Sequence, residues 1–184
     1  MRGWRRPGRT FASRSKLRSA SHIKRLKECS DALTAFYSAL LPVIRAGRMG
    51  VVLFQLPPNL KADPARLASF LNEAAPESTA TLRVAFEFRH PSWFVSEIFD
   101  LLRQHQAALC VAESDELQTP DVITAPFCCY RLRKSDYAPA DLQQIEKQLA
   151  DKAARGDVFA YIKHEDSPKG ALQAASLLAR LKAQ

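Results

Sequence analysis

Chemically reactive side chains are concentrated at the end of one apolar segment of this chain. Residues 82–88 alternate as a β-strand does, so Phe86 and Phe88 face one layer while Glu87 and Arg89 face the other. Two positions apart on one face, the carboxylate and the guanidinium group are separated by about 7 Å along the strand. The guanidinium group can keep the carboxylate ionised or bind a phosphate of a ligand. The spacing predicts two catalytic residues, Glu87 as a general base and Arg89 as an anion clamp, with a structural ion pair as the alternative.

Polar side chains also end the other apolar segments. Gln55 is the polar side chain of residues 50–56, and Arg131 alternates with apolar neighbours. Because the carboxyl ends of parallel strands meet at one edge, where the active sites of α/β folds lie, these side chains are expected to converge. The predicted substrate-binding residues are Gln55, Arg131, Asp115 and Lys163, with Glu113 and His164 as alternatives to the last two. Trp93 is a candidate to stack on a sugar or base, with burial in the core as the favoured alternative.

The apolar segments alternate with amphipathic ones, which predicts parallel strands connected by helices. The five expected strands are residues 51–56, 83–89, 108–112, 127–132 and 158–163. Ser30, Asp63 and Ser92 have the residue types and positions of helix N-caps. No glycine-rich phosphate loop follows any strand, so the sequence gives no support to a dinucleotide-binding site. The pattern predicts an α/β fold, either an open doubly wound sheet or a barrel.

The composition is that of one globular domain. The chain has 184 residues, 47% of them hydrophobic, and no apolar run approaches the roughly 18 residues of a membrane-spanning helix. The first 20 residues lack the continuous apolar stretch of a secretory signal. The four cysteines have no metal-ligand spacing and no H-E-x-x-H motif is present, so neither a metal nor a cofactor is expected. These features predict a cytoplasmic protein with free thiols and no membrane association.

The net charge of +8 is unevenly distributed along the sequence. Residues 1–27 contain ten Lys or Arg and no acidic residue. The remaining residues hold the other 17 basic groups against all 19 acidic groups, a net charge of −2. A basic segment of this kind can bind phosphate backbones without sequence preference, or it can be a solvated, disordered end.

Several motifs resemble those of one known family. They are FQLPP at residues 54–58, FEFRHPSW at 86–93, ALCVA at 108–112 and YRL at 130–132. With these motifs, residues 10–182 are similar to the YecE-like family, the domain-of-unknown-function family 72. The resemblance implies a parallel (β/α) TIM-type barrel for which no biochemical activity is established.

The resemblance also implies that the family's first strands are absent, so the chain is expected to be N-terminally truncated. Five strands cannot close an eight-stranded barrel. We therefore expect residues 28–184 to form the C-terminal part of a single, incomplete barrel domain. Residues 1–27 are expected to be a partly disordered basic segment. Exposed edges of the sheet are expected to favour association with another chain.

The residues leave open whether the protein is an enzyme. One hypothesis is acid–base chemistry on a phosphorylated or nucleic-acid-like anionic substrate, with Glu87 as the base and Arg89 and Arg131 binding the anion. The alternative is a non-catalytic, nucleic-acid-associated or inactive barrel fragment that binds through its basic N-terminus. The predicted partners are therefore an anionic small molecule or a nucleic acid.

Overall fold

A computed structural model describes residues 25–27, 29–74, 82–113, 117–134, 137–162 and 169–183. The elements are α1 Ser30–Arg45, β1 Val51–Gln55, α2 Pro64–Ala74, β2 Arg83–Glu87, α3 Ser96–Gln104, β3 Ala108–Glu113, β4 Phe127–Leu132, α4 Pro139–Ala153, β5 Asp157–Ile162 and α5 Lys169–Ala183. The predicted disorder of residues 1–27 falls almost entirely outside the described ranges.

The five strands form one sheet in the order of the chain. Each strand pairs with the next in parallel, so the sheet order is β1-β2-β3-β4-β5. The prediction of five parallel strands alternating with helices is confirmed. Strand β4 has the predicted bounds, and the other strands differ from theirs by one or two residues, the largest shift being that β2 ends at Glu87 rather than at Arg89.

The sheet is curled, as is shown by the closeness of Gly50, which precedes β1, and of Arg83 in β2 to residues of β5. Neighbouring strands are about 4.8 Å apart, so a flat sheet would place β1 and β5 roughly 19 Å apart. Instead, a Cβ atom added to Gly50 would lie 3.7 Å from the Phe159 ring. Arg83 Nη2 also lies 2.5 Å from Asp157 Oδ2. The five strands therefore form a curled half-barrel, which confirms the predicted α/β fold and its incomplete (β/α) barrel architecture.

Helices α1, α2 and α3 cover the outer face of the first strands. The rings of Phe54, Phe70 and Phe86 contact one another at centroid distances of 5.0 to 5.9 Å. Val52 and Phe54 are only 3% and 5% exposed, because the neighbouring helices shield this face of the sheet. What an open sheet edge exposes is therefore its backbone groups rather than these apolar side chains.

Helix α1 starts one residue earlier than predicted. Ser30 was the predicted N-cap, but Cys29 occupies that position and makes no side-chain cap. The Ser30 hydroxyl instead donates to Glu73 Oε2 of α2 at 3.1 Å. Pro42 lies within the last turn, and the helix still continues to Arg45.

The segment after β2 also differs from its prediction. Ser92 was the predicted cap of α3, which begins only at Ser96. The Ser92 hydroxyl accepts a hydrogen bond from the Ala62 backbone N–H at 2.8 Å, which joins the segment to the chain before α2. The predicted cap Asp63 is confirmed, since its Oδ1 accepts from the backbone N–H of Arg66 at 3.0 Å.

The irregular chain between β3 and β4 is anchored by Asp121. Its carboxylate accepts hydrogen bonds from Tyr130 Oη at 2.9 Å and Gln148 Nε2 at 3.0 Å, and pairs with Lys152 Nζ at 2.8 Å. Burial alone would raise the pKa of Asp121, but the hydrogen bonds from Lys152, Gln148 and Tyr130 lower it below its ordinary value. Residues 117–126, which contain no helix, are thus fixed to both β4 and α4.

Within the described ranges, no helix is both long and apolar enough to cross a membrane.

The two outermost strands predict association between copies of the chain. Among the described residues, β1 and β5 each pair on one side, and β5 residues such as Ala160 are exposed. Such an edge can pair with another chain, so we expect oligomers in sedimentation velocity experiments whose population rises with concentration. Ala160→Lys should reduce this association, whereas Ala171→Lys on the exposed surface of α5 should not. A monomer at all concentrations that unfolds cooperatively would contradict the prediction.

Candidate functional site

The carboxyl ends of the strands bring polar side chains together on the inner face of the sheet. Gln55 of β1 is the register partner of Glu87 of β2. Further along the sheet, Cys110 of β3 is the register partner of Cys129 of β4. Since Phe86 and Leu109 are partners, the next residues, Glu87 and Cys110, are level with each other. One row across four strands therefore carries an amide, a carboxylate and two thiols.

Glu87 is the centre of an ion-pair cluster. Its side chain is 0% exposed, and both carboxylate oxygens are occupied. Arg131 Nη1 donates to Oε2, and Arg133 Nη1 donates to Oε1 at 3.2 Å. Arg131 Nη1 also donates to Gln55 Oε1 at 2.8 Å, which links β4 to β1 across the curl of the sheet. Because burying an unpaired carboxylate is costly, the two guanidinium groups allow Glu87 to remain inside the sheet.

The predicted site residues are only partly brought together. Gln55, Glu87 and Arg131 share one cluster through direct hydrogen bonds. Arg89 follows Glu87 by two residues and is half-buried, and no hydrogen bond or ion pair joins it to another described residue. Asp115 and Lys163 lie outside the described residues, so the structure says nothing of their predicted roles.

Trp93 lies in the core rather than in the site. It is 0% exposed, and its indole stacks on the Phe88 ring at a centroid distance of 4.6 Å. Its Nε1–H donates to the Leu60 carbonyl oxygen at 2.8 Å. A ligand cannot reach this ring in the described conformation, so the alternative of a core tryptophan is supported over the predicted stacking role.

Arg133 belongs to the cluster but was not predicted from the sequence. This residue lies one position beyond β4 and has the same parity as Arg131, so both side chains point toward Glu87. The Arg133 backbone N–H donates to the Glu113 carbonyl oxygen at 2.9 Å, which extends the pairing of β3 and β4 and maintains that orientation. The spacing of Arg131 and Arg133 matches that of Glu87 and Arg89, and this repeated two-residue spacing was the available signal.

Glu113, the alternative to Asp115, belongs to a different group of residues. Its Oε1 pairs with Lys134 Nζ at 2.6 Å, and its Oε2 accepts a hydrogen bond from Tyr137 Oη at 3.2 Å. Val111, two residues earlier on the same face, packs in the helix-side core with Tyr137. Glu113 therefore points away from the Glu87 cluster and fixes the chain that follows β4.

A pair of thiols lies beside the ion-pair cluster. The Sγ atoms of Cys110 and Cys129 are 3.5 Å apart, and both side chains are buried. The hydrogen bond with Cys129 and burial raise the pKa of Cys110, and the Glu87 charge acts in the same direction against Arg131. Among the described residues, all four cysteines are free, and no group of three or more His, Cys, Asp or Glu side chains is arranged to hold a metal ion.

Comparisons with known proteins connect this geometry to one family. The family model described as "Protein of unknown function DUF72" matches residues 7–184. A DUF72 family protein from Thermotoga maritima MSB8 has a similar structure, with a TM-score of 0.75 and 18% sequence identity, over 88% of this chain and 68% of that chain. A DUF72 family protein from Enterococcus faecalis V583 has a TM-score of 0.66 and 17% identity, over 80% of this chain and 68% of that chain.

At these identities the structural likeness establishes the fold alone. No curated protein matches the chain by sequence. The family match and the two structural neighbours agree with the resemblance found in the FQLPP and FEFRHPSW motifs. The chain therefore belongs to the DUF72 family of proteins of unknown function, the YecE-like family, and has its curled parallel α/β fold.

Proposed function

We propose that the chain binds a phosphorylated or nucleic-acid-like anion at the carboxyl edge of its sheet. The observation that carries the proposal is the pair of guanidinium groups of Arg131 and Arg133, both held by the buried carboxylate of Glu87. Their side chains remain 24% and 25% exposed, so donors are still available to a ligand. Two positive charges face one negative charge, which leaves this cluster with an excess of +1.

The arrangement favours recognition of a phosphate in particular. A guanidinium group has five N–H donors in a planar fork, and Arg131 and Arg133 each use only Nη1 in their bonds to described residues. The remaining donors can bind two oxygens of one phosphate group. Because Glu87 and Gln55 already fix these side chains, less conformational entropy is lost on binding. Arg89 is a third candidate donor at the same end of the sheet.

An acid–base reaction at this site requires an exchange of partners. Glu87 is fully buried and both its oxygens accept hydrogen bonds, so it acts in this state as a positioning residue for the arginines. An incoming phosphate that binds Arg131 and Arg133 would weaken their bonds to Glu87. The carboxylate would then be free to accept a proton from the substrate, as a general base does.

Phosphate binding tests the proposal. We expect inorganic phosphate to raise the unfolding temperature more than sodium chloride of the same ionic strength does. Arg131→Gln and Arg133→Gln should each weaken the binding of phosphate by about ten- to a hundredfold, because each removes charge-assisted hydrogen bonds of roughly 1.5–3 kcal/mol.

Arg103→Gln is the matched control for these variants. Arg103 lies on α3, is 48% exposed and pairs with Asp100, so its loss removes the same charge away from the sheet edge. Phosphate binding that is unaffected by Arg131→Gln and Arg133→Gln, or that Arg103→Gln weakens equally, would contradict the proposal.

The basic segment supports a second candidate, non-catalytic binding of nucleic acid. Ten Lys or Arg and no acid occupy residues 1–27. Affinity of this origin for a single-stranded oligonucleotide should fall steeply with salt and be lost when residues 1–27 are deleted. Binding at the sheet edge should instead survive that deletion and be lost in Arg131→Gln.

A further inference from the structure

Cys110 and Cys129 have a geometry close to that of a disulfide. They are direct register partners on neighbouring parallel strands, where Cα atoms are about 4.8 Å apart. This separation is within the range of roughly 4.4–6.8 Å that disulfides use. Their sulfur atoms, 3.5 Å apart, need to approach by about 1.5 Å to reach the bonding distance. Small side-chain rotations can supply this movement without any rearrangement of β3 or β4.

The surroundings of the pair restrict the oxidant. Cys129 is 1% exposed and Cys110 is 0% exposed, so a bulky disulfide reagent cannot approach either sulfur. Hydrogen peroxide is much smaller than such a reagent and is therefore better suited to a buried thiol pair. Cys128, the chain neighbour of Cys129, faces the helix layer and packs in a different core, so it does not compete for Cys110.

We propose that Cys110 and Cys129 are a modification site at which hydrogen peroxide forms a reversible intramolecular disulfide. One thiolate attacks a peroxide oxygen, the O–O bond breaks, and the leaving hydroxide takes up the thiol proton as water. The second sulfur attacks the resulting sulfenic acid, the S–S bond forms, the S–O bond breaks, and a second water leaves. Two thiols are oxidised and one peroxide is reduced to two waters.

The local chemistry predicts a slow oxidation. The thiolate is the reactive species, and the pKa of Cys110 is raised by Cys129, burial and Glu87 against the effect of Arg131. The rate should therefore increase with pH through the alkaline range.

Mass spectrometry of the folded, peroxide-treated chain tests the proposal. Cys110 and Cys129 lie in one tryptic peptide, so cleavage after glutamate, at Glu113 and Glu116, is needed to separate them. We expect a loss of about 2 Da from the intact chain and a covalent link between the two glutamate-cleavage peptides, both reversed by a dithiol. Cys128→Ser should keep the link, and Cys129→Ser should abolish it.

Two further outcomes decide the proposal if Cys129→Ser fails to fold. In the oxidised chain without substitutions, fragmentation of the linked peptides should assign the bond to Cys129 rather than to Cys128. A link through Cys128 or Cys29, a vicinal bond between Cys128 and Cys129, or stable oxidation to acids without any link would overturn it. A link that appears only after denaturation would also overturn it, because the proposed geometry belongs to the folded sheet.

Discussion

Glu87→Gln is expected to lower the free energy of unfolding by about 3 kcal/mol. The substitution keeps the shape of the side chain but removes the charge that holds Arg131 and Arg133 at the inner face of the sheet. Two partly buried guanidinium groups would then lie close together without a counter-charge. We place the effect near the lower end of the range for broken buried ion pairs, because both arginines are about a quarter exposed. Urea denaturation followed by circular dichroism measures it.

Asp100→Asn is the matched control for this carboxylate-to-amide change. Asp100 is 62% exposed and its partner Arg103 is 48% exposed, so the loss should stay below about 1 kcal/mol. Coupling between Glu87 and Arg131 should also be visible, since Arg131→Gln should cost less in the Glu87→Gln background than in the wild-type chain. Equal costs for Glu87→Gln and Asp100→Asn would refute the central role of Glu87.

Trp93→Ala is expected to be the most destabilising of the single substitutions considered, by about 3–5 kcal/mol. The indole is fully buried, stacks on Phe88 and hydrogen-bonds the Leu60 carbonyl, so its removal leaves a large cavity and an unpaired acceptor. A loss of this size is comparable with the whole stability of many small domains. If the variant does not fold, an excluded osmolyte such as sucrose should restore the transition for measurement.

Trp93→Phe separates packing from hydrogen bonding. Phenylalanine keeps the ring contact with Phe88 but removes the donor to Leu60, so we expect a loss of roughly 1–2 kcal/mol. Leu172→Ala, at a side chain that is 68% exposed, should change the stability by less than about 0.5 kcal/mol. If Trp93→Ala were as mild as Leu172→Ala, or if Trp93→Phe removed ligand binding without changing stability, the core assignment would be wrong.

The alternation of side chains along each strand was sufficient to predict the faces of the sheet. Strands have a strict two-residue period, so Glu87 could be assigned to the face opposite Phe86 from the sequence alone. The convergence of Gln55 and Arg131 on Glu87 followed from the rule that parallel strands share a carboxyl edge. These inferences succeeded because they depend on backbone periodicity and strand direction.

Partner choice could not be predicted, because it depends on the curvature of the sheet and on contacts distant in sequence. Ser30 and Ser92 have the residue types of caps, yet Glu73 and the Ala62 backbone are their actual partners. Arg133 was missed because it lies one position beyond the end of β4, outside the strand predicted at residues 127–132. The complete burial of Glu87 likewise arises from the way β4 curls toward β1, which no local pattern records.

The bonds across the curl also bear on how the chain folds. Glu87 and Arg131 are separated by 44 residues, Gln55 and Arg131 by 76, and Arg83 and Asp157 by 74. Each β-strand, by contrast, meets its neighbour after a single short crossover, so strand pairing can advance step by step along the chain. Contacts that close such long loops form only after most chain entropy has been lost. The ion-pair cluster thus belongs to the last stage of folding, and it resists the opening of the finished sheet more than it speeds its assembly.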